Sequence, residues 1–239
     1  MKCPIRILVF GTIAFVAGFV LLTFLDEPIY HAIDPTLASR ERLDTTWWYL
    51  ILRHSGSLWT WFILGIGLSV FDRIRHAQQR PDPTKAAGPS LRGVHLAISA
   101  GAAGLAAELL KLVIGRERPA TIETLESGVQ ALVYQGYHFR GLFSGFADGS
   151  NLGLPSSHAA TAAGGAFALA LVWPRLWLPA LGISVGCGVS RLLTGAHFAT
   201  DVYAGIVLGW LAALWLRDGL ISAPVRRKRL GRTQGDSSA

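Results

Sequence analysis

Charged side chains are scarce in this chain: Asp, Glu, Lys and Arg make up 15% of its 239 residues, where soluble domains average about a quarter. Hydrophobic types reach 51% and the mean hydropathy is +0.40. That balance excludes a soluble globular domain and intrinsic disorder. It also argues against a nucleic-acid binder, despite a formal net charge of +7. Cysteine is nearly absent. Cys3 and Cys187 show no CxxC or CxxxC spacing, so neither a disulfide framework nor a thiolate metal site is expected. No repeat of fixed period is visible, and low complexity is confined to residues 226–239.

An integral membrane protein is what remains. A bilayer core about 30 Å thick needs roughly 20 mostly apolar residues per helix. Residues 7–25, 94–114, 177–193 and 198–216 are the clearest runs, and 58–71 and 159–173 extend to that length through flanking small or aromatic residues. The expected fold is all-α, a polytopic bundle of six transmembrane helices. It assigns 1–216 to one membrane domain and 217–239 to a basic cytoplasmic tail. The first run ends in Leu25-Asp26-Glu27-Pro28, which is not a small-residue cleavage site, so it reads as a retained span rather than a cleavable signal.

Lys and Arg in the loops set orientation. Six alternating spans place 14 of the 22 basic residues on one side. Lys2, Arg6, the 72–93 connection, the turn at 173–176 and the tail with Arg226-Arg227-Lys228-Arg229 supply them, and this side is expected to be the cytoplasm. The tail reads as a topology anchor that also touches anionic lipid. The segments 26–46 and 116–157 fall outside, their basic residues balanced or outnumbered by acids. Trp47, Trp48, Trp59, Trp173, Trp177 and Trp215 sit near span ends, as interfacial anchors do. The 116–157 loop, rich in Tyr and Phe, is too apolar for a disordered linker and reads as a lid or a substrate-facing interfacial element.

Three polar clusters border the spans. Lys111 and Arg118-Pro119 close the third, and Pro155-Ser156-Ser157-His158 opens the fourth. Ser190-Arg191 closes the fifth, while His197 and Asp201 open the sixth. The alternating topology brings them all to the outer face, and ionisable groups bordering spans mark function. Lys111, Arg118 and Arg191 gather three cations, which need an anion, and a point charge with two planar forks suits phosphate. Pro155 before Ser156, Ser157 and His158 reads as a first helical turn, where free backbone N–H groups favour anions. His197 and Asp201, four apart, share a helix face, so the carboxylate orients one ring nitrogen and leaves the other for nucleophilic or basic work. His158 is then available as general acid. Glu108 is expected to pair with Lys111. His31, His54, His76, His95 and His138 are read as caps or interface residues.

Lys111-x6-Arg118-Pro119, then Pro155-Ser156-Ser157-His158, then Ser190-Arg191-x5-His197-x3-Asp201 resembles the three-part signature of the type 2 phosphatidic acid phosphatase family. The resemblance implies metal-independent hydrolysis of a phosphate ester through a phosphohistidine, with no cofactor. His197 would be the nucleophile, Asp201 its orienting partner, and His158 the acid that protonates the leaving group and later activates water. Lys111, Arg118, Ser156, Ser157 and Arg191 would hold the phosphoryl oxygens. Ser157 departs from the pattern, since the family usually carries Gly there.

The expected function is dephosphorylation of an amphiphilic lipid at the outer leaflet, with lipid phosphate and membrane lipids as partners and no nucleic acid. Undecaprenyl diphosphate, phosphatidylglycerol phosphate, phosphatidate and lipid A phosphates are the substrates considered. A non-catalytic anionic-lipid binder or transporter is the alternative, and it would more naturally show broken helices and duplicated halves. A metallohydrolase using His158, His197 and Asp201 is a third reading, disfavoured because three adjacent cations repel a divalent metal.

Overall fold

The computed structural model describes residues 4–79 and 91–217. The tail 218–239, most of the expected cytoplasmic anchor, lies outside the described residues, as do Lys2, Cys3, Arg80, Lys85 and the side chains of Arg6 and His76. Eight α-helices occur in the described part: α1 (Pro4–Ile33), α2 (Leu37–Asp44), α3 (Trp47–Ser55), α4 (Leu58–Gln79), α5 (Leu91–Ile114), α6 (Ser157–Val172), α7 (Trp177–Leu193) and α8 (Ala199–Arg217). Between α5 and α6 lies an antiparallel hairpin, β1 (Ala120–Thr124) against β2 (Gln130–Tyr134), with Ala120 opposite Tyr134. The chain is a mostly helical integral membrane protein.

The span count is less regular than six equal helices. Among the described residues, Val9–Ile33, Leu91–Ile114, Pro174–Leu193 and Ala199–Arg217 are each long and apolar enough to cross a bilayer. Trp47–Ser55 and Leu58–Arg75 qualify only as a pair bent by 77°, and Ser157–Val172 is apolar but short. Helix α1 also outruns its expected end. It continues through Pro28 to Ile33, because Asp26 turns inward and is 1% exposed instead of marking the water boundary.

Helix α6 is the centre of the bundle, packed by α5, α7 and α8. Its inner faces are almost wholly small: Ala159, Ala160, Ala162, Ala163, Gly164 and Gly165 are all buried. Without a hydrophobic drive between helices in lipid, close backbone approach is what holds them together, and small residues permit it. On α8 the matching positions are Gly205 and Gly209. A Cβ on Gly209 would stand 2.4 Å from the Ala160 carbonyl oxygen and 2.6 Å from the Gly164 nitrogen, so one added methyl group must push α8 away from α6. Gly209→Val is therefore expected to cost about 1–3 kcal/mol, read as a lowered Tm in detergent; an unchanged Tm would show that the two helices separate freely.

Large apolar side chains face outward around this core, among them Phe10, Phe24, Trp59 and Trp215, each more than 70% exposed. That is the expected surface of a protein in lipid. Trp47, Trp48 and Trp59 stand at the starts of α3 and α4, Trp177 at the start of α7 and Trp215 near the end of α8.

The 116–157 segment is ordered by its own polar ties. Glu117 pairs with Arg140 and with His138 at 2.7 Å, and Arg140 reaches Asp148 at 2.9 Å. Burial works against the Glu117 carboxylate, but Arg140 and His138 outweigh it and hold the group below its usual range. The hairpin docks on the end of α1, where Tyr134 lies 4.5 Å from Tyr30 and 4.9 Å from His31, centroid to centroid.

Candidate active site

The C-terminal ends of α5 and α7 meet the N-terminal ends of α6 and α8, and all three polar clusters come together there. Lys111, in the last turn of α5, is 5% exposed. Its Nζ donates to Glu108 Oε1 at 2.8 Å and to Ser157 Oγ at 3.2 Å. The ammonium is thereby held at the α5–α6 junction rather than extended toward water. Arg118 follows beyond the end of α5, its backbone N–H on Asn151 O at 2.9 Å and its Nε on Leu152 O at 3.2 Å. Two backbone anchors fix where the guanidinium fork sits.

Helix α6 begins at Ser157, two residues later than the expected start at Pro155, because Ser156 is its N-cap and Pro155 lies outside it. The Ser156 hydroxyl is fully buried and accepts from Ala159 N at 3.5 Å, while its own N–H donates to Asp201 O at 2.9 Å. Ser156 thus ties the starts of α6 and α8 together. Ser157 is absent from the positive-φ residues, Asp34, Phe143 and Asn151, so its backbone needs no glycine and its hydroxyl receives Lys111.

His197 lies between α7 and α8, 2% exposed, with Nδ1 3.3 Å from Asp201 Oδ2. The same carboxylate oxygen accepts from Phe198 N at 2.9 Å. Burial is the largest influence on the imidazole and pushes it down to about 4, against the upward pull of Asp201. At neutral pH the ring is uncharged, and with Nδ1 on Asp201 its Nε2 is the nitrogen left to react.

One cavity of about 180 Å³ is lined by Glu108, Lys111, Arg118, Ser157, His158 and His197. Five of the eight expected site residues therefore share a single small chamber. Arg191, in the last turn of α7, lines an adjoining cavity of about 430 Å³ that shares Arg118 and Asn151 with the first. Asp201 stands behind His197, and Ser156 caps α6. Of the histidines read as structural, His31, His54, His95 and His138 do not line this chamber. His95 is buried against Ala213 O at 3.0 Å, about 24 Å along α5 from Lys111. No trio of His, Cys, Asp or Glu suited to hold a metal occurs among the described residues.

Sequence reasoning missed what lies behind Asp201. Arg116 is 3% exposed, with Nη2 2.7 Å from Asp201 Oδ1 and 3.7 Å from Asp26 Oδ2. The first contact is a close charge contact outside hydrogen-bond alignment. The Arg116 guanidinium also packs 4.5 Å from the Tyr137 ring and 5.0 Å from the Phe198 ring. Asp26, brought in by α1, accepts from Thr200 N at 2.9 Å and Thr200 Oγ1 at 2.5 Å. It satisfies the first turn of α8 from a distant part of the chain. The available signal was an acid bordering the first apolar run.

The chain is 32% identical over 127 residues to a lipid A 1-phosphatase of Rhizobium johnstonii, covering 51% of this chain and 46% of that protein. It is 31% identical over 128 residues to a lipid A 1-phosphatase of Rhizobium etli, covering 51% and 48%. It thus spans about half the length of the curated relatives it matches. Among solved structures, a PAP2 type phosphatidylglycerolphosphate phosphatase from Bacillus subtilis aligns with 86% of this chain and 93% of its own, at 20% identity and a TM-score of 0.43. The family model described as PAP2 superfamily matches residues 92–219, which include every motif residue placed above, and the chain belongs to that superfamily.

Proposed function

We propose that this chain is an integral membrane phosphatase hydrolysing a phosphate monoester or diphosphate of an amphiphilic lipid through a phosphohistidine on His197, without a metal. The observation that carries this reading is the chamber of about 180 Å³ that puts His197, His158, Lys111, Arg118 and Ser157 around one small volume. His197 Nε2 attacks phosphorus, the bond from phosphorus to the lipid oxygen breaks, and His158 gives that oxygen its proton. Water, deprotonated by His158, then cleaves the phosphohistidine and releases inorganic phosphate. Lys111, Arg118, Ser156, Ser157 and Arg191 are assigned to the phosphoryl oxygens, Ser156 through its position at the helix start. Preorganised donors aimed at developing charge supply the largest share of the rate in such reactions.

The Rhizobium relatives support a phosphorylated glycolipid of the lipid A type among the substrates, beside undecaprenyl diphosphate, phosphatidylglycerol phosphate and phosphatidate. A binder or transporter of anionic lipid has no use for an oriented imidazole. The deciding assay is phosphate release by the purified protein in detergent, with chelator present, across that panel. Undiminished release in chelator is expected, and activity restored only by a divalent cation would overturn the metal-free assignment.

We further place the site outside the cytoplasm, in an inner membrane crossed six times, with both termini inside, a membrane domain over 1–216 and a cytoplasmic tail over 217–239. The 14 of 22 basic residues on the opposite side support this. With Cys3 and Cys187 replaced, single cysteines in the 72–93 connection, the 116–157 segment and the tail can be probed by an impermeant thiol reagent on spheroplasts. Only the middle one is expected to react; a tail that reacts while 116–157 does not would invert the orientation.

A further inference from the structure

The larger cavity, about 430 Å³, carries a charge that the motifs do not explain. Its wall includes Arg118 and Arg191, but also Arg40 from α2 and Arg53 from α3, two arginines outside the family's matched residues 92–219. The acid in the wall is Asp44, and it is paired with Arg53 at 2.5 Å. Among the described residues no carboxylate forms an ion pair with Arg40, Arg118 or Arg191. Arg40 Nε donates to Thr194 O at 2.5 Å, and Arg118 Nε to Leu152 O at 3.2 Å. Both forks are thereby fixed by backbone, and their charge is unspent. Arg191 Nε is buried and without a hydrogen-bond partner among the described residues.

Four guanidiniums around one concavity repel each other unless an anion sits among them, and planar forks match phosphoryl oxygens. The chamber with His197 is the proposed seat of the scissile phosphoryl group. The second cavity opens beside it across Arg118 and Asn151. With a liquid water occupying about 30 Å³, its volume amounts to on the order of a dozen waters, more than a single phosphoryl group needs.

We propose that this cavity is a second anion subsite, built by Arg40 and Arg53 with Arg118 and Arg191, which takes a second phosphoryl group of the substrate held next to the scissile one. The proposal rests on the phosphatase reading and narrows its substrate class to lipids whose head carries two phosphoryl groups close together. Arg40 and Arg53 then decide preference, while the motif residues carry the reaction.

Binding tests this without turnover. An alkyl phosphonate and the alkyl methylenebisphosphonate of the same chain length are titrated into the full-length protein in detergent by calorimetry. The bisphosphonate is expected to bind wild type at least about tenfold tighter, the value of one good charge-assisted contact. Arg40→Gln and Arg53→Gln should each cut that advantage by about tenfold. Asp44→Asn, which removes the acid from the wall, should enlarge it. Opposite signs from neighbouring substitutions are not what general loosening of α2 and α3 produces. Equal affinity of the two probes for wild type overturns the subsite, and so do variants that weaken both probes alike. Inorganic phosphate is titrated against protein already loaded with the phosphonate. If it binds there in an Arg40-dependent way while the bisphosphonate has no advantage, the cavity is a seat for released phosphate and the proposal falls. Failure of wild type to hydrolyse any lipid phosphate refutes the phosphatase reading alone, and the binding comparison still decides the subsite.

Discussion

His197→Ala is expected to reduce turnover by at least about 10⁴-fold, since removing the nucleophile of a unit that acts together costs nearly as much as removing the unit. The loss should appear in kcat with substrate binding largely kept, because Lys111, Arg118 and Arg191 still face the anion. Rapid alkaline quench adds a separate readout. Phosphate from a labelled lipid should be trapped on wild type as an alkali-stable adduct and be missing from His197→Ala. His158→Ala should still form the adduct from an activated aryl phosphate, whose leaving group needs no acid, and fail with an alkyl phosphate. Substantial residual turnover in His197→Ala would remove the phosphohistidine from the mechanism.

Arg116→Met is expected to be the most damaging substitution away from the chamber. It leaves Asp26 and Asp201, both at most 1% exposed, without the cation that lies 3.7 and 2.7 Å from them. Removing one partner of a buried ion pair costs about 3–5 kcal/mol, because the remaining charge is stranded in low dielectric. Thermal unfolding in detergent measures the loss. Asp26→Asn added to Arg116→Met should restore part of it by removing one stranded charge while keeping a carbonyl oxygen for Thr200. If the double variant is less stable than Arg116→Met, the three groups do not act as one charge network.

The residues that converge on the candidate site were legible in the sequence because lipid makes polar residues conspicuous. His197 and Asp201, spaced by one helical turn, and Lys111, at the end of an apolar run, stand out against a background that has few of their kind. What was not legible depends on three-dimensional closure. Asp26 followed by Glu27 and Pro28 has the local chemistry of a span end, and only the approach of α8 makes Asp26 a buried acceptor for Thr200. The hairpin escaped notice because its two five-residue strands lack the clean alternation that marks half-buried strands. Arg40 and Arg53 lie in short helices with ordinary surface composition, and their convergence with Arg118 and Arg191 follows from how α2 and α3 fold back over the end of α7.

The 16 residues of α6 rise about 24 Å, some 6 Å less than a hydrocarbon core about 30 Å thick. One end of the helix must therefore stop inside the core. Its far end carries Trp173 and the turn at Pro174–Leu176, the kind of residues that anchor a span at the interface, so the end assigned to the recess is the one that bears Ser157 and His158. Residues 152–156, which lead into it without helical hydrogen bonding, are all buried, the condition under which irregular backbone is tolerated at membrane depth. The proposed reaction point is thereby placed below the level of the headgroups. Under the proposed phosphatase reading, a lipid reaches it by sinking its phosphate a few ångströms toward Lys111 and Arg118, with its acyl chains still in the leaflet, so that reading requires neither desorption nor a carrier for a turnover.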